Sequence, residues 1–116
     1  MDRFAVVEFE DYPDEWTRVR LGGVSVREFG DVIEKFNEAV VRYMPEPIAA
    51  LCDTFGPFID SWSYPEDPGA EGLREREPGQ VFAIVRAWVR GVRDVPLPLP
   101  RKSSDGEPSE GRTTSP

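Results

Sequence analysis

The stretch VSVREFGDVIEKFNEAVVRYM, residues 24–44, constrains the fold more than any other part of the chain. Ser25 followed three residues later by Glu28 forms a capping box, in which each side chain satisfies an otherwise orphaned backbone N–H. At 100° per residue, Val26, Phe29, Val32, Ile33, Phe36, Val40, Tyr43 and Met44 fall within about 60° either side of Phe29. Arg27, Asp31, Glu34, Lys35, Glu38 and Arg42 lie outside that arc. The spacing predicts a one-sided helix over 26–44, stopped by Pro45 and Pro47. A helix of this kind must lay its apolar face on something, so the rest of the chain is expected to supply a core.

A second helix is expected at 78–94, opened by Pro78 with Glu77 as cap. On its wheel Arg86, Arg90 and Arg93 form one narrow stripe, while Val81, Phe82, Ile84, Val85, Trp88, Val89 and Val92 make a broad apolar flank. The remaining side carries Ala83, Ala87 and Gly91 at i, i+4 and i+8, small enough for another helix to approach closely. With so little polar surface, this helix is either buried in the domain or covered by a partner. The expectation is a core helix that packs on the helix centred on Phe36 and keeps one face for a partner.

Ahead of these, RFAVVEFE and WTRVRL read as strands separated by the turn cluster DYPDE. They pair as a hairpin over 3–21 with a long loop, Trp16, Arg18 and Arg20 alternating with Thr17, Val19 and Leu21. Pro47 opens a short helix over 47–55, which Gly56-Pro57 stops. FIDSWSY reads equally as a helical turn or a short extended piece. The following loop has room for one helical turn around Leu73. The expected fold class is therefore α+β and mostly α-helical, an N-terminal β-hairpin followed by three or so helices. Residues 1–95 form the folded domain, and 96–116 a Pro-rich spacer and disordered polar tail.

Composition removes several function classes. Lys and Arg number 14 against 22 Asp and Glu, a formal net charge of −8, which argues against a nucleic-acid binder that must neutralise phosphates. Cys52 stands alone, so no internal disulfide is expected and a reducing compartment is. The N-terminus lacks the basic and apolar regions of a signal peptide. VFAIVRAWVRGV, at 81–92, is too short and too charged to cross a bilayer. No membrane association is expected.

Catalytic chemistry finds little footing. The chain has no histidine, hence neither the usual general base nor the commonest zinc ligand. Cys52 lies among apolar neighbours and reads as a buried thiol. Glu8, Glu10, Asp11, Asp14 and Glu15 lack calcium-loop spacing and read as a solvated turn. Pro96, Pro98 and Pro100 recur every second residue rather than as P-x-x-P. Neither enzyme activity nor a cofactor nor a metal is expected. The candidate partner-binding residues are Trp62, Tyr64, Phe82, Arg86, Trp88 and Arg90, since aromatics and arginines dominate binding hot spots, with core packing as the other reading of the aromatics.

The order WTRVRLGGVSVREF, a helix, FIDSWSYPED, then REPGQVFAIVRAWVRGVRDVPLPLPRKSS resembles the tail assembly chaperones of long, non-contractile-tailed bacteriophages of actinobacteria. The resemblance covers about residues 16–103 and rests on four short pieces in one order and spacing. SWSYPED stands where the family more usually has SWNLED. It implies a protein that binds the aggregation-prone tape measure protein before the tail tube polymerises around it. It also implies action in the cytoplasm of the infected bacterium and absence from the finished virion. Such proteins are made in two forms by programmed frameshifting, the longer recruiting the major tail protein, and this chain resembles the short, unshifted product. Self-association along the client is a further expectation. The competing readings are a structural virion protein, such as a head–tail connector, and an acidic regulator or inhibitor of a nucleic-acid enzyme.

Overall fold

A computed structural model describes residues 3–94. The Pro-rich spacer and polar tail expected at 96–116 lie outside the described residues. The fold is α+β, in the order β1 (Phe4–Phe9), β2 (Tyr12–Arg20), α1 (Val26–Arg42), α2 (Pro45–Phe55), a 3₁₀ turn at Gly56–Phe58, β3 (Ile59–Trp62), α3 (Ala70–Arg74) and α4 (Pro78–Arg93).

The three strands form one antiparallel sheet in the order β1-β2-β3. Two details of the hairpin differ from the sequence reading. The expected long loop is only Glu10-Asp11, because Tyr12 already pairs with Phe9 and the next partners are Trp16 and Glu8. Pro13 thus falls in the irregular part of the ladder, where its missing N–H is not needed. The ambiguous FIDSWSY segment supplies β3, with Thr17 opposite Trp62 and Val19 opposite Ile59. As expected, β2 alternates: Thr17, Val19 and the following Leu21 are buried, whereas Trp16 and Arg18 are exposed.

The capping box of α1 is present, with Ser25 Oγ accepting from Glu28 N at 3.0 Å and Glu28 Oε1 accepting from Ser25 N at 2.9 Å. These bonds hold the Glu28 carboxyl below the usual carboxylate range. The helix ends at Arg42, two residues short of the expected limit, because Tyr43 turns into the left-handed region. Next, α2 begins at Pro45 rather than Pro47. Both prolines fit the first turn, whose N–H groups have no intrahelical acceptor. The expected turn around Leu73 is α3. At the start of α4, Gln80 Oε1 accepts from Glu77 N at 3.3 Å.

Helices α1 and α4 run antiparallel, since Phe29 meets Trp88 (ring centroids 5.8 Å apart) and Phe36 meets Phe82 (5.8 Å). Trp88 sits at the centre of the core, fully buried, edge-on to Phe55 at 5.4 Å and beside Phe58 at 5.0 Å. Its indole Nε1 donates to the Arg20 carbonyl at 2.9 Å, tying α4 to the end of β2. The small-residue side of α4 is not left for another helix. Ala83 faces the β1–β2 turn, and a Cβ on Gly91 would lie 2.9 Å from Leu21 Cδ2. The hairpin fills the space that the sequence had suggested for a partner.

Candidate functional site

The six candidate partner-binding residues do not share a surface. Trp88 is fully buried and Trp62 is 7% exposed, so both belong to the core instead of a contact face. Trp62 Nε1 donates to the Glu66 carbonyl at 2.7 Å, and its ring meets Tyr64 edge-on at 5.2 Å. Tyr64 is half-buried and spends its hydroxyl inside the molecule, donating to Glu15 Oε1 at 2.8 Å. Gln80 Nε2 donates to the same oxygen, also at 2.8 Å. Glu15 therefore departs from the solvated-turn reading and joins β2 to α4. Burial, then this bond to a carboxylate, push the Tyr64 phenol up to about 12.

Phe82 is half-buried between Phe36 and Tyr43, its ring 5.9 Å from the latter. Arg86 and Arg90 are exposed, and line a shallow depression with Val89, Arg93 and Asp94. Arg86 lies over the Phe36 ring at 5.7 Å. Of the six, only Phe82 touches the feature described next.

The surface that sequence reasoning missed is the corner where α1 meets α2. Val40 is 46% exposed, Val41 82%, Tyr43 61% and Met44 52%, four large apolar side chains within five residues. Tyr43 has φ 36° and ψ 55°. A left-handed conformation costs a residue with a side chain about 1–2 kcal/mol, which is why glycine usually holds this position. Here the tyrosine keeps the position, its N–H donating to the Ala39 carbonyl at 2.8 Å and its ring leaning on Phe82. The turn throws Tyr43 and Met44 outward and opens a groove of about 450 Å³ behind them.

The groove is apolar along much of its wall, with Ile48, Ala49 and Cys52 from α2 and Val81 from α4. Burial raises the Cys52 thiol to about 11, so it stays protonated and acts as a small apolar group. The charged residues that line it are Arg74 and Arg76. Arg74 pairs with Asp53, both partly exposed, and pairs of this type contribute about 0–1 kcal/mol. Arg76 is held more firmly, stacked over Tyr64 at 3.9 Å and paired with Glu66 at 2.6 Å. Its buried Nε has no hydrogen-bond partner, a loss worth about 1–3 kcal/mol.

Among the described residues no group of three His, Cys, Asp or Glu side chains is placed to hold a metal ion, and no helix is long and apolar enough to cross a membrane. Nothing matches this chain in comparisons with protein-family models, curated proteins and solved structures.

Proposed function

We propose that this protein is a phage tail assembly chaperone, which binds the tape measure protein and keeps it soluble while the tail tube assembles. The observation that carries the reading is the exposed apolar corner of Val40, Val41, Tyr43 and Met44, opening into the Ile48–Ala49–Cys52 groove. A long helical client exposes apolar side chains along its length, and an amphipathic helix lays such a face into an apolar groove. The chain's net charge of −8 adds a second property a holding protein needs, since like charge keeps coated client from clumping. The resemblance spanning residues 16–103 supports a tape measure protein as the class of client, and the corner is the surface we assign to holding it. In this reading the protein acts in the cytoplasm of the infected bacterium and is absent from finished particles.

Co-expression with the tape measure protein of the same genome tests it. The wild-type chain is expected to bring that protein into the soluble fraction and to co-purify with it, whereas Val41→Lys/Met44→Lys leaves it in the pellet. A client that precipitates equally with and without the wild-type chain overturns the proposal. Detection of the chain in purified particles would move the reading to a structural virion component.

A further inference from the structure

We infer that the groove between α1, α2 and α4 receives a bulky apolar side chain from a helical partner segment that carries an Asp or Glu about one turn away, its carboxylate meeting Arg74 and Arg76. The inference rests on the holding role proposed for this corner and specifies the chemistry of what is held.

Charge complementarity selects the occupant. The chain carries 22 acidic residues against 14 basic ones, yet the charged residues lining the groove are two arginines and no carboxylate. The rest of the lining is largely apolar, so the groove asks for two chemistries: a hydrocarbon or aromatic group on Ile48, Ala49 and Val81, and an anion at the guanidiniums. Residues three and four apart on a helix lie side by side, which delivers both groups at once.

Arg74 is free to respond, and Arg76 is already in place. Arg74 and its partner Asp53 are each about half-exposed, at 45% and 51%, so Arg74 can exchange Asp53 for an incoming carboxylate with little loss. Arg76 is held in place by the Tyr64 ring and Glu66, a fixed guanidinium beside the more mobile Arg74. A planar guanidinium fixed in this way suits a carboxylate better than a mobile lysine would. Exposed Met44, which lines the groove, then lies beside the helix once it is seated.

Two fluorescein-labelled helical peptides test the inference with the full chain by fluorescence anisotropy. Both carry Leu at i and i+7 on an alanine scaffold; one has Glu at i+4 and i+11, the other Lys at those positions. The Glu peptide is expected to bind at least tenfold more tightly than the Lys peptide. Arg74→Glu should reverse that order, and Ala49→Met, which fills the groove, should weaken both peptides at least tenfold. Circular dichroism on each variant shows that the fold is retained, and Arg74→Gln provides a second, gentler rim variant that should erase the preference without reversing it. Equal binding of the two peptides, a preference for Lys, or no binding of either overturns the inference. Its failure is separable from failure of the holding role: client solubility retained without peptide discrimination sinks only the groove chemistry, and discrimination without client solubility sinks only the chaperone reading.

Discussion

Trp88→Ala separates a core role from a contact role more sharply than any other substitution. The side chain is fully buried against Phe29, Phe55 and Phe58, and its Nε1 satisfies the Arg20 carbonyl. Cutting a buried tryptophan to alanine costs about 3–5 kcal/mol through lost transfer energy and the cavity left behind. A folded unit of about ninety residues has roughly 5–14 kcal/mol to lose. With a urea slope of about 1.5 kcal/mol/M, the midpoint should fall by about 2–3 M. Trp88→Phe keeps much of the volume but orphans the Arg20 carbonyl, and should cost about 1–3 kcal/mol. The assay is urea unfolding followed by circular dichroism, run beside client solubility at a temperature where each variant is still folded. Both variants should then hold client like the wild type. If Trp88→Ala keeps its midpoint within 0.5 M (an order-of-magnitude bound) while losing the client, Trp88 is a contact residue and the packing argument is wrong.

The corner should behave in the opposite way. Val41→Lys/Met44→Lys is expected to abolish client holding while shifting stability by no more than about 0.5 kcal/mol, read from the same two assays. Glycine replacements should split by what a new Cβ meets. Gly30→Ala meets nothing within 4 Å in mid-helix and should stabilise by about 0.5–1 kcal/mol, whereas Gly56→Ala would place a Cβ 2.5 Å from the Ala70 backbone nitrogen and should raise the unfolding signal sharply in a thermal melt. Alkaline pH should weaken the fold through Cys52. Its folded-state pKa of about 11 lies above the unfolded value of about 8.5, so stability is complete below the unfolded value and declines as pH rises to about 11, by about 2–3 kcal/mol. Cys52→Ala should flatten that slope in urea midpoints measured from pH 8 to 11.

Legibility in the sequence followed the range of the interaction concerned. The capping box at Ser25 and Glu28 is local chemistry over three residues, and the structure carries both of its bonds. Pro78 and the strand alternation at Thr17, Val19 and Leu21 were equally readable, because each is set by neighbouring residues. What could not be read depends on pairing at a distance. Strand β3 takes its identity from β2, with Trp62 opposite Thr17, and four residues of local propensity cannot decide between a strand and a helical turn. The small side of α4 was read as a helix-packing groove, correctly as to shape, but periodicity does not say whether a helix or a hairpin fills it. Aromatic type was the weakest guide, since Trp62 and Trp88 carry the hot-spot chemistry and are both interior.

The corner is exposed because the fold splits the apolar side of α1. Periodicity presents the apolar arc of about 120° on α1 as one face, but the fold divides it. Val32 and Ala39, seven residues apart, are fully buried on one flank; Val26 and Val40, also connected by steps of seven through Ile33, remain 91% and 46% exposed on the other. The protein's own core therefore explains only half of the arc. On a solvated helix face, valine and isoleucine are poorer than Lys, Glu or Ala by a few tenths of a kcal/mol each and leave apolar surface in water. Tyr43 adds the cost of a left-handed residue with a side chain at the end of the same helix. Local stability thus favours different residues at Val26 and Val40, whereas Tyr43 recovers part of its cost by leaning on Phe82. A partner covering this flank would offset the cost at Val26 and Val40, so the proposed holding surface falls on α1 and its junction with α2 rather than on the more apolar but already covered α4.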